Sequence, residues 1–206
     1  MTLTEKPYPP PPWRSKNQMW MGAFAVDTPP VLPDGLRPLL SPRWVVLGLI
    51  RYLEGSTLTY DELVIASLAR RGFRTGLYVH HIWVDSEASL WGGRRIWGLN
   101  KELATFAWEG DTVRVTDEAG PIVTMTVDRA PRTAPWLPAI APGFGRLDGQ
   151  WVHVTGSLRA RFGKADLRIE AWSPRFPFQL AGAPRFAVAA NPAEVTVPAP
   201  VVLGSG

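Results

Sequence analysis

The chain has 206 residues, of which 46% are hydrophobic and 19% are charged, and its formal net charge is +4. This size and composition favour one globular domain, and the absence of cysteine excludes disulfides, thiolate catalysis and cysteine-ligated metals. The arginines are scattered in small groups, which argues against nucleic-acid binding, and no apolar run is long enough to predict a transmembrane helix.

The first half of the chain contains apolar runs separated by proline and glycine. Residues 1–12 form a proline-rich arm that we expect to lie on the body or on a neighbouring subunit, and because they lack the apolar core of a signal peptide we expect a cytoplasmic protein. Residues 28–41 are predicted to be a loop or a short helix, and Asp85 is the predicted cap of a short helix over 86–96. Strands are predicted at 19–26, 44–53, 60–68 and 76–84.

The second half also predicts short strands. A meander of three strands is predicted at 103–108, 112–116 and 122–128, followed by a proline- and glycine-rich loop at 131–149. A hairpin is predicted from 151–160 with 165–172. The last segment, 174–200, is broken by prolines and has short strands near Phe186 and Val195. Residues 204–206 are expected to be a disordered tail or a tag remnant. Many strands with one or two short helices predict a mainly β protein, with a single domain over 1–203 that forms an antiparallel β-barrel or a two-sheet fold.

Lys101 is the first candidate for chemistry. Only four residues of the chain are lysines, at positions 6, 16, 101 and 164. Arginine supplies the same charge but cannot be deprotonated in a protein, so only lysine can act as an amine nucleophile. Lys101 follows the glycine- and tryptophan-rich stretch Gly93-Arg94-Arg95-Ile96-Trp97-Gly98-Leu99-Asn100. The pattern fits either an exposed lysine at a turn or an amine in an apolar pocket, where the ammonium form is disfavoured.

Glu62 is the second candidate. The alternation of a strand places Tyr60, Glu62 and Val64 on one face, and a carboxylate with apolar neighbours is either at an exposed strand end or tuned for proton transfer. By the same alternation, His80 and His81 point to opposite faces, so only one of them can face a pocket and both cannot bind one metal ion. No phosphate loop, dinucleotide fingerprint or serine-nucleophile elbow is present, and neither a metal nor a cofactor is predicted.

Residues 84–104 resemble the signature of the acetoacetate decarboxylase family: an Asp, a small helical segment, a Gly-Arg step, aromatic and glycine residues, and a lysine. Tyr60-Asp61-Glu62 is similar to the Tyr-x-Glu of that family, and 13–26 is similar to its first strand. The resemblance implies a β-barrel or double β-cone whose interior Lys101 forms a Schiff base with a carbonyl compound.

The resemblance also implies roles for several side chains. Glu62 falls on a pocket carboxylate that moves protons. The candidate substrate-binding residues are Tyr60, Gln18, Trp97, Arg94 and one inward histidine, either His80 or His81. The implied partner is a small carbonyl compound of the β-keto type, and the family resemblance and the arm together favour a homo-oligomer.

The chain departs from the family signature at several positions. Glu102 stands where the family has a second lysine, Gln18 where it has an arginine that acts on the substrate carboxylate, and Leu47 where a second pocket glutamate is expected. Leu99 and Asn100 replace an aromatic residue and a proline. We therefore predict a Schiff-base lyase for aldol, dehydration or cyclisation chemistry on a larger, more apolar carbonyl compound. The alternatives are a true β-keto acid decarboxylase and a non-catalytic barrel that binds a hydrophobic small molecule.

Overall fold

The computed structural model describes residues 4–204, and these contain one helix and fourteen strands. Helix α1 spans Glu87–Trp97. The strands are β1 (Trp13–Ala25), β2 (Arg37–Pro38), β3 (Trp44–Tyr52), β4 (Tyr60–Arg71), β5 (Arg74–Val84), β6 (Lys101–Leu103), β7 (Thr105–Glu109), β8 (Thr112–Asp117), β9 (Gly120–Val127), β10 (Trp136–Leu147), β11 (Gln150–Lys164), β12 (Leu167–Trp172), β13 (Phe186–Val197) and β14 (Val201–Gly204).

Seven strands close into a barrel. Their order is β4-β3-β1-β13-β11-β10-β5, and β5 returns to pair with β4. All of these neighbours are antiparallel except β10 and β5, which run parallel. The short strands β2, β6 and β14 extend the barrel sheet at β4, β5 and β11. The predicted mainly β barrel is therefore confirmed, with the parallel contact as an addition.

A second sheet, in the order β12-β9-β8-β7, covers part of the outer face of the barrel. The largest apolar cluster lies between the two sheets because alternate residues of the barrel strands point outward. It includes Trp20 from β1, Leu63 from β4 and Met125 from β9, and all three are fully buried. A smaller cluster around Ile50 and Val64 fills the barrel interior.

The start of helix α1 differs from the prediction. Its N-cap is Ser86, whose side chain accepts a hydrogen bond from the backbone nitrogen of Ser89. Asp85 instead accepts from the backbone nitrogen of Asp61 at 2.8 Å, which ties the end of β5 to β4. The helix ends at Gly98 in the left-handed conformation, with φ 64°. A side chain there would clash with the backbone of Arg146, so both the conformation and the contact require glycine.

The prediction was wrong for much of the chain after residue 130. Residues 131–149 are mostly strand β10 rather than a loop, because β11 pairs along the whole strand, and Gly145 leaves room for the end of helix α1. The predicted hairpin is absent from residues 4–204: β11 pairs with β10, β13 and β14, whereas β12 joins β9 in the second sheet. Strand β13 is continuous through Pro192.

The two ends of the chain are placed as follows. The arm lies on helix α1 of the same chain, since Glu5 pairs with Arg95 and Lys6 pairs with Glu87, and Pro9 accepts a hydrogen bond from the Trp13 indole at the start of β1. Gly204 is the last residue of β14 rather than part of a tail, and 1–3 and 205–206 lie outside the described residues. Within the described residues, no helix has the length and apolar character needed to cross a membrane.

Candidate active site

Lys101 points into the barrel, and the residue is only 4% exposed. Strand β6 runs parallel to β5, and this pairing places Lys101 beside the interior residue Ile82. The Lys101 Nζ donates to Glu62 Oε2 at 2.7 Å and to Ser89 Oγ at 2.9 Å. A serine from the helix and a carboxylate from β4 therefore hold the amine, which is not an exposed lysine at a turn.

Two tyrosines support the carboxylate of Glu62. The Tyr52 hydroxyl donates to Oε1 at 3.1 Å and the Tyr60 hydroxyl donates to Oε2 at 3.4 Å. Their rings stack with centroids 4.1 Å apart. Burial, followed by the negative charge of Glu62, raises the pKa of both phenols well above the usual range. Both phenols therefore stay protonated and serve as hydrogen-bond donors to the carboxylate.

Helix α1 fixes the position of Lys101 through two adjacent residues. The lysine side chain lies across Gly93, where a Cβ atom would stand 2.5 Å from Lys101 Cε. The neighbouring Arg94 donates from Nε to the Lys101 carbonyl oxygen at 2.8 Å. Gly93 thus leaves room for the stem of the lysine, and Arg94 ties down its backbone. Arg94 acts on Lys101 rather than on the space beside the amine.

A cavity of about 120 Å³ opens beside the amine. Apolar and aromatic side chains dominate its wall, which consists of Trp13, Arg14, Ser15, Tyr52, Thr57, Leu58, Tyr60, Glu62, Trp97, Leu99, Lys101, Val154 and Val197. An apolar protein cavity of about 150 Å³ holds a benzene molecule. The cavity is partly open to solvent, and the space next to the amine is close to that needed for a group of roughly six non-hydrogen atoms.

The structure brings together four of the predicted site residues. Lys101, Glu62, Tyr60 and Trp97 all line the cavity. The Trp97 indole donates to the Pro198 carbonyl oxygen at 2.8 Å and meets Trp13 edge to face. Trp97 thus offers the cavity an apolar surface, because its only polar atom is already bonded.

The two predicted histidines lie outside this cavity. A β-bulge interrupts the pairing of β4 with β5 between Ile65 and Ala66, so the expected alternation of His80 and His81 fails. His80 contacts Ser67 Oγ at 2.9 Å, and His81 stacks on Trp83, so both point away from the barrel interior. Burial lowers the pKa of both rings, that of His80 to about 4, which leaves them neutral at pH 7.

Gln18 also lies outside the cavity wall. It pairs across β1 and β3 with Arg51, which bonds to Asp61 at 3.1 Å on the outer face of the barrel. Leu47 lies in the core between the sheets. Glu102 is exposed, since it alternates with Lys101 along β6. These three departures from the family signature therefore stand outside the cavity.

Sequence reasoning missed several polar residues of this site: Ser89, which bonds to the amine, and Arg14, Ser15, Tyr52 and Thr57 of the cavity wall. Tyr52 lies directly opposite Tyr60 across β3 and β4, and period-2 alternation of both strands could have paired them once their register was known. Ser89 lies four residues before Gly93, on the same face of the helix. Within residues 4–204, no cluster of three or more metal-binding side chains could hold a metal ion.

The family model described as acetoacetate decarboxylase (ADC) matches residues 2–144. No curated protein matches the chain. Acetoacetate decarboxylase from Legionella pneumophila is 19% identical, with a TM-score of 0.67 over 98% of this chain and 90% of that chain. The enduracididine biosynthesis enzyme MppR, complexed with the condensation product of pyruvate and imidazole 4-carboxaldehyde, is 15% identical, with a TM-score of 0.63 over 95% and 90% of the two chains. An acetoacetate decarboxylase-like enzyme from Sphingomonas wittichii is 17% identical, with a TM-score of 0.59 over 95% and 94%.

Proposed function

Because the chain belongs to the acetoacetate decarboxylase family, we propose that it is a lyase in which the Lys101 amine forms a Schiff base with a small carbonyl compound. One observation carries this proposal. The Lys101 amine is buried in an apolar cavity, and the Glu62 carboxylate lies 2.7 Å away, close enough to take up its proton. Ser89 and the two tyrosines complete a polar network that is confined to the reacting end of the cavity.

The proposed reaction begins with proton transfer from the Lys101 ammonium to Glu62. The free amine adds to the carbonyl carbon, and loss of water from the carbinolamine leaves an iminium ion. Ser89 Oγ, 2.9 Å from the nitrogen, is placed to relay the proton held by Glu62 to the departing hydroxyl group, which leaves as water and returns Glu62 to its ionised form. Glu62 then removes a proton from the adjacent carbon, whose electron pair moves into a C=C bond as the iminium becomes a neutral enamine. The enamine carbon can then form the next bond.

We propose that this next step is an aldol addition, a dehydration or a cyclisation. In an aldol addition the enamine carbon attacks a second carbonyl carbon, whose oxygen takes up a proton, and water then hydrolyses the iminium to release the product. MppR, which has the same fold, is complexed with a condensation product of pyruvate and an aldehyde, and this supports carbon–carbon bond formation here. The charges among the lining residues also favour this reaction over decarboxylation, because neither cation is both buried and free to bind a substrate carboxylate. Lys101 is paired with Glu62, and the other cation, Arg14, is exposed.

Decarboxylation of a β-keto acid is the second candidate, favoured by the family match itself. The same iminium would accept the electron pair of the broken carbon–carbon bond as carbon dioxide leaves. Carbon dioxide release from simple β-keto acids, measured with the wild type and with Lys101→Arg, separates this candidate from the first. Release that depends on Lys101 would favour the decarboxylase, whereas adduct formation without release would favour the aldol-type reaction.

Reductive trapping tests the Schiff base. The protein is incubated with pyruvate, acetoacetate or hydroxyacetone and borohydride, and peptide mass mapping locates the reduced adduct. We expect the adduct on Lys101, its loss in Lys101→Arg with the circular dichroism spectrum preserved, and its persistence in Lys164→Arg, because Lys164 lies outside the cavity wall. An adduct that survives Lys101→Arg would refute the mechanism. Binding without any adduct, unaffected by that substitution, would indicate a non-catalytic binding protein.

We also propose that the protein is a homo-oligomer. Large apolar side chains are strongly exposed on the barrel strands and on one of their turns: Phe73, Ile140, Phe186, Val201 and Val202. Where such side chains form one contiguous patch, they mark an interface between subunits. Light scattering coupled to size-exclusion chromatography measures the mass directly, and a mass of 22.7 kDa at micromolar concentration would contradict the proposal.

A further inference from the structure

Beyond the polar network around the amine, the cavity has an apolar wall. Two tryptophans, Trp13 and Trp97, meet there edge to face with ring centroids 4.7 Å apart. The Trp13 indole donates to the Pro9 carbonyl oxygen at 2.9 Å, and the Trp97 indole donates to the Pro198 carbonyl oxygen. Both indole nitrogens are therefore occupied, and the rings present only carbon atoms to a ligand. The other residues of the apolar wall are Leu58, Leu99, Val154 and Val197.

The Trp13 ring is held between the arm and helix α1. It lies against Gly92, where a Cβ atom would stand 2.5 Å from Trp13 Cη2. The arm that bonds to the indole is itself tied to the helix by the ion pair of Glu5 with Arg95. Because the next helix residue, Gly93, accommodates the lysine stem, two adjacent glycines of one helix fix the tryptophan and the amine relative to each other.

The residues that line the cavity offer no free counter-charge to a substrate carboxylate. Glu62 already balances the charge of Lys101. Arg14 alternates along β1 with residues of the cavity wall, so its side chain points to the opposite face and is exposed. The hydroxyl groups of Ser15 and Thr57 are neutral. A buried carboxylate without a partner is strongly disfavoured, whereas a hydrocarbon group gains free energy by leaving water.

We propose that the substrate is an aldehyde or ketone with an uncharged, apolar substituent, and that Trp13 is the residue that determines which substituents bind. The carbonyl carbon meets Lys101, and a short hydrocarbon chain packs against the Trp13 ring. This inference rests on the proposed function, because it takes the Lys101 amine as the group that attacks the carbonyl carbon.

Two uncharged methyl ketones measure the contribution of the apolar wall. Dissociation constants of acetone and of 2-pentanone, which has two additional methylene groups, are obtained by ligand-observed NMR at pH 7. The acetone constant divided by the 2-pentanone constant is the chain ratio. We expect a chain ratio of about fifteen in the wild type, from about fourfold for each buried methylene group. Because both ligands present the same methyl ketone, the ratio cancels the contribution of bond formation at the amine.

A second pair of ligands tests the exclusion of charge. Pyruvate and 3-methyl-2-butanone have nearly equal size and differ by a carboxylate in place of an isopropyl group. We expect pyruvate to bind at least about tenfold more weakly, because its carboxylate would be buried without a counter-charge. Equal or tighter binding of pyruvate would overturn the proposed substrate class.

Variants of the wall assign the preference to Trp13. Trp13→Ala should lower the chain ratio about fourfold, since loss of the ring returns about one methylene group to water. Trp13→Phe keeps an apolar ring and should retain the chain ratio within about twofold. The matched control is Trp136→Ala, because Trp136 lies beside Arg159 outside the cavity wall, and its chain ratio should equal that of the wild type.

A further variant decides the question if Trp13→Ala does not fold. Leu99 belongs to the apolar wall and is half-buried, so Leu99→Asn changes the polarity of the wall with little change in volume. It should also lower the chain ratio, because the ligand chain would then contact an amide.

The outcomes separate this inference from the proposed Schiff base. A chain ratio near one in the wild type, or an unchanged chain ratio in folded Trp13→Ala, overturns the inference. Either result combined with a Lys101 adduct on trapping overturns the inference alone. The expected chain ratios without any trapped adduct would support the apolar wall and overturn the Schiff base.

Discussion

Removing the charge of Glu62 tests the buried ion pair on which the proposed proton transfer depends. Glu62→Gln keeps the shape of the side chain and an acceptor for the Tyr52 hydroxyl, but it removes the partner of the Lys101 ammonium. The two side chains are 5% and 6% exposed, so water does not replace the lost charge. Breaking one side of a buried ion pair lowers the free energy of unfolding by about 3–5 kcal/mol.

A second substitution separates the interaction between Glu62 and Lys101 from other effects of changing either side chain. Replacing both partners, in Glu62→Gln combined with Lys101→Met, removes the unpaired charge and fills the space of the lysine stem. Replacing both members of a buried ion pair by uncharged residues often leaves stability unchanged. We therefore expect the free energy of unfolding of the double variant to lie within about 1–2 kcal/mol of the wild-type value. The double-mutant cycle should then give a coupling free energy of at least about 2 kcal/mol.

The assay is urea unfolding at pH 7, monitored by tryptophan fluorescence. The dependence of the unfolding free energy on urea concentration should have the same slope in all variants. Glu109→Gln is the control, because Glu109 pairs with Arg114 at the surface, where their side chains are 75% and 57% exposed. Glu109→Gln should lower the free energy of unfolding by less than about 1 kcal/mol. If Glu62→Gln lowers the free energy of unfolding no more than Glu109→Gln does, the contact of Glu62 with Lys101 does not act as a buried ion pair.

Three further predictions concern the surroundings of this pair. Gly93→Ala should abolish adduct formation on trapping, because its Cβ would displace the Lys101 stem, whereas Gly143→Ala, with nothing nearer than 3.5 Å, should not. Tyr52→Phe should lower the free energy of unfolding measured in urea by about 1.5–3 kcal/mol, because the Tyr52 hydroxyl donates to the buried, charged Glu62 carboxylate. Because the pKa of His80 is lowered to about 4, the unfolded chain binds the extra proton, so stability should fall as the pH drops from 6.5 to about 4. The urea midpoint of His80→Gln should fall less between pH 7 and 5 than that of the wild type.

The part of the site predicted correctly from the sequence lies on regular elements. Strand β4 keeps its alternation through Tyr60, Glu62 and Val64, so residue spacing alone places these three side chains on one face, and the resemblance to the family indicates that this face is the inward one. Strand β5 contains a bulge, which residue spacing does not reveal, and this single extra residue turned His80 away from the cavity, to the same side as His81.

Long-range pairing accounts for the remaining errors of the fold prediction. The proline- and glycine-rich segment of β10 has the local composition of a loop, yet it forms a strand because β11 bonds along its whole length. Likewise, the proximity of β11 and β12 in sequence suggested a hairpin, but β12 belongs to the other sheet. Tyr52 and Ser89 were missed for a similar reason, since only the closed barrel and the packed helix bring them to Glu62 and Lys101.

The spacing between Gly93-Arg94 and Lys101 follows from the connection between β5 and β6. These strands are parallel, so the chain must cross back over the barrel before β6 begins, and helix α1 makes that crossing. The last turns of the helix therefore lie against the strand that follows them, with Gly93 under the lysine stem and Arg94 on the lysine carbonyl. Since the following residue, Glu102, must then point outward, its replacement of the family's second lysine leaves the charge inside the cavity unchanged.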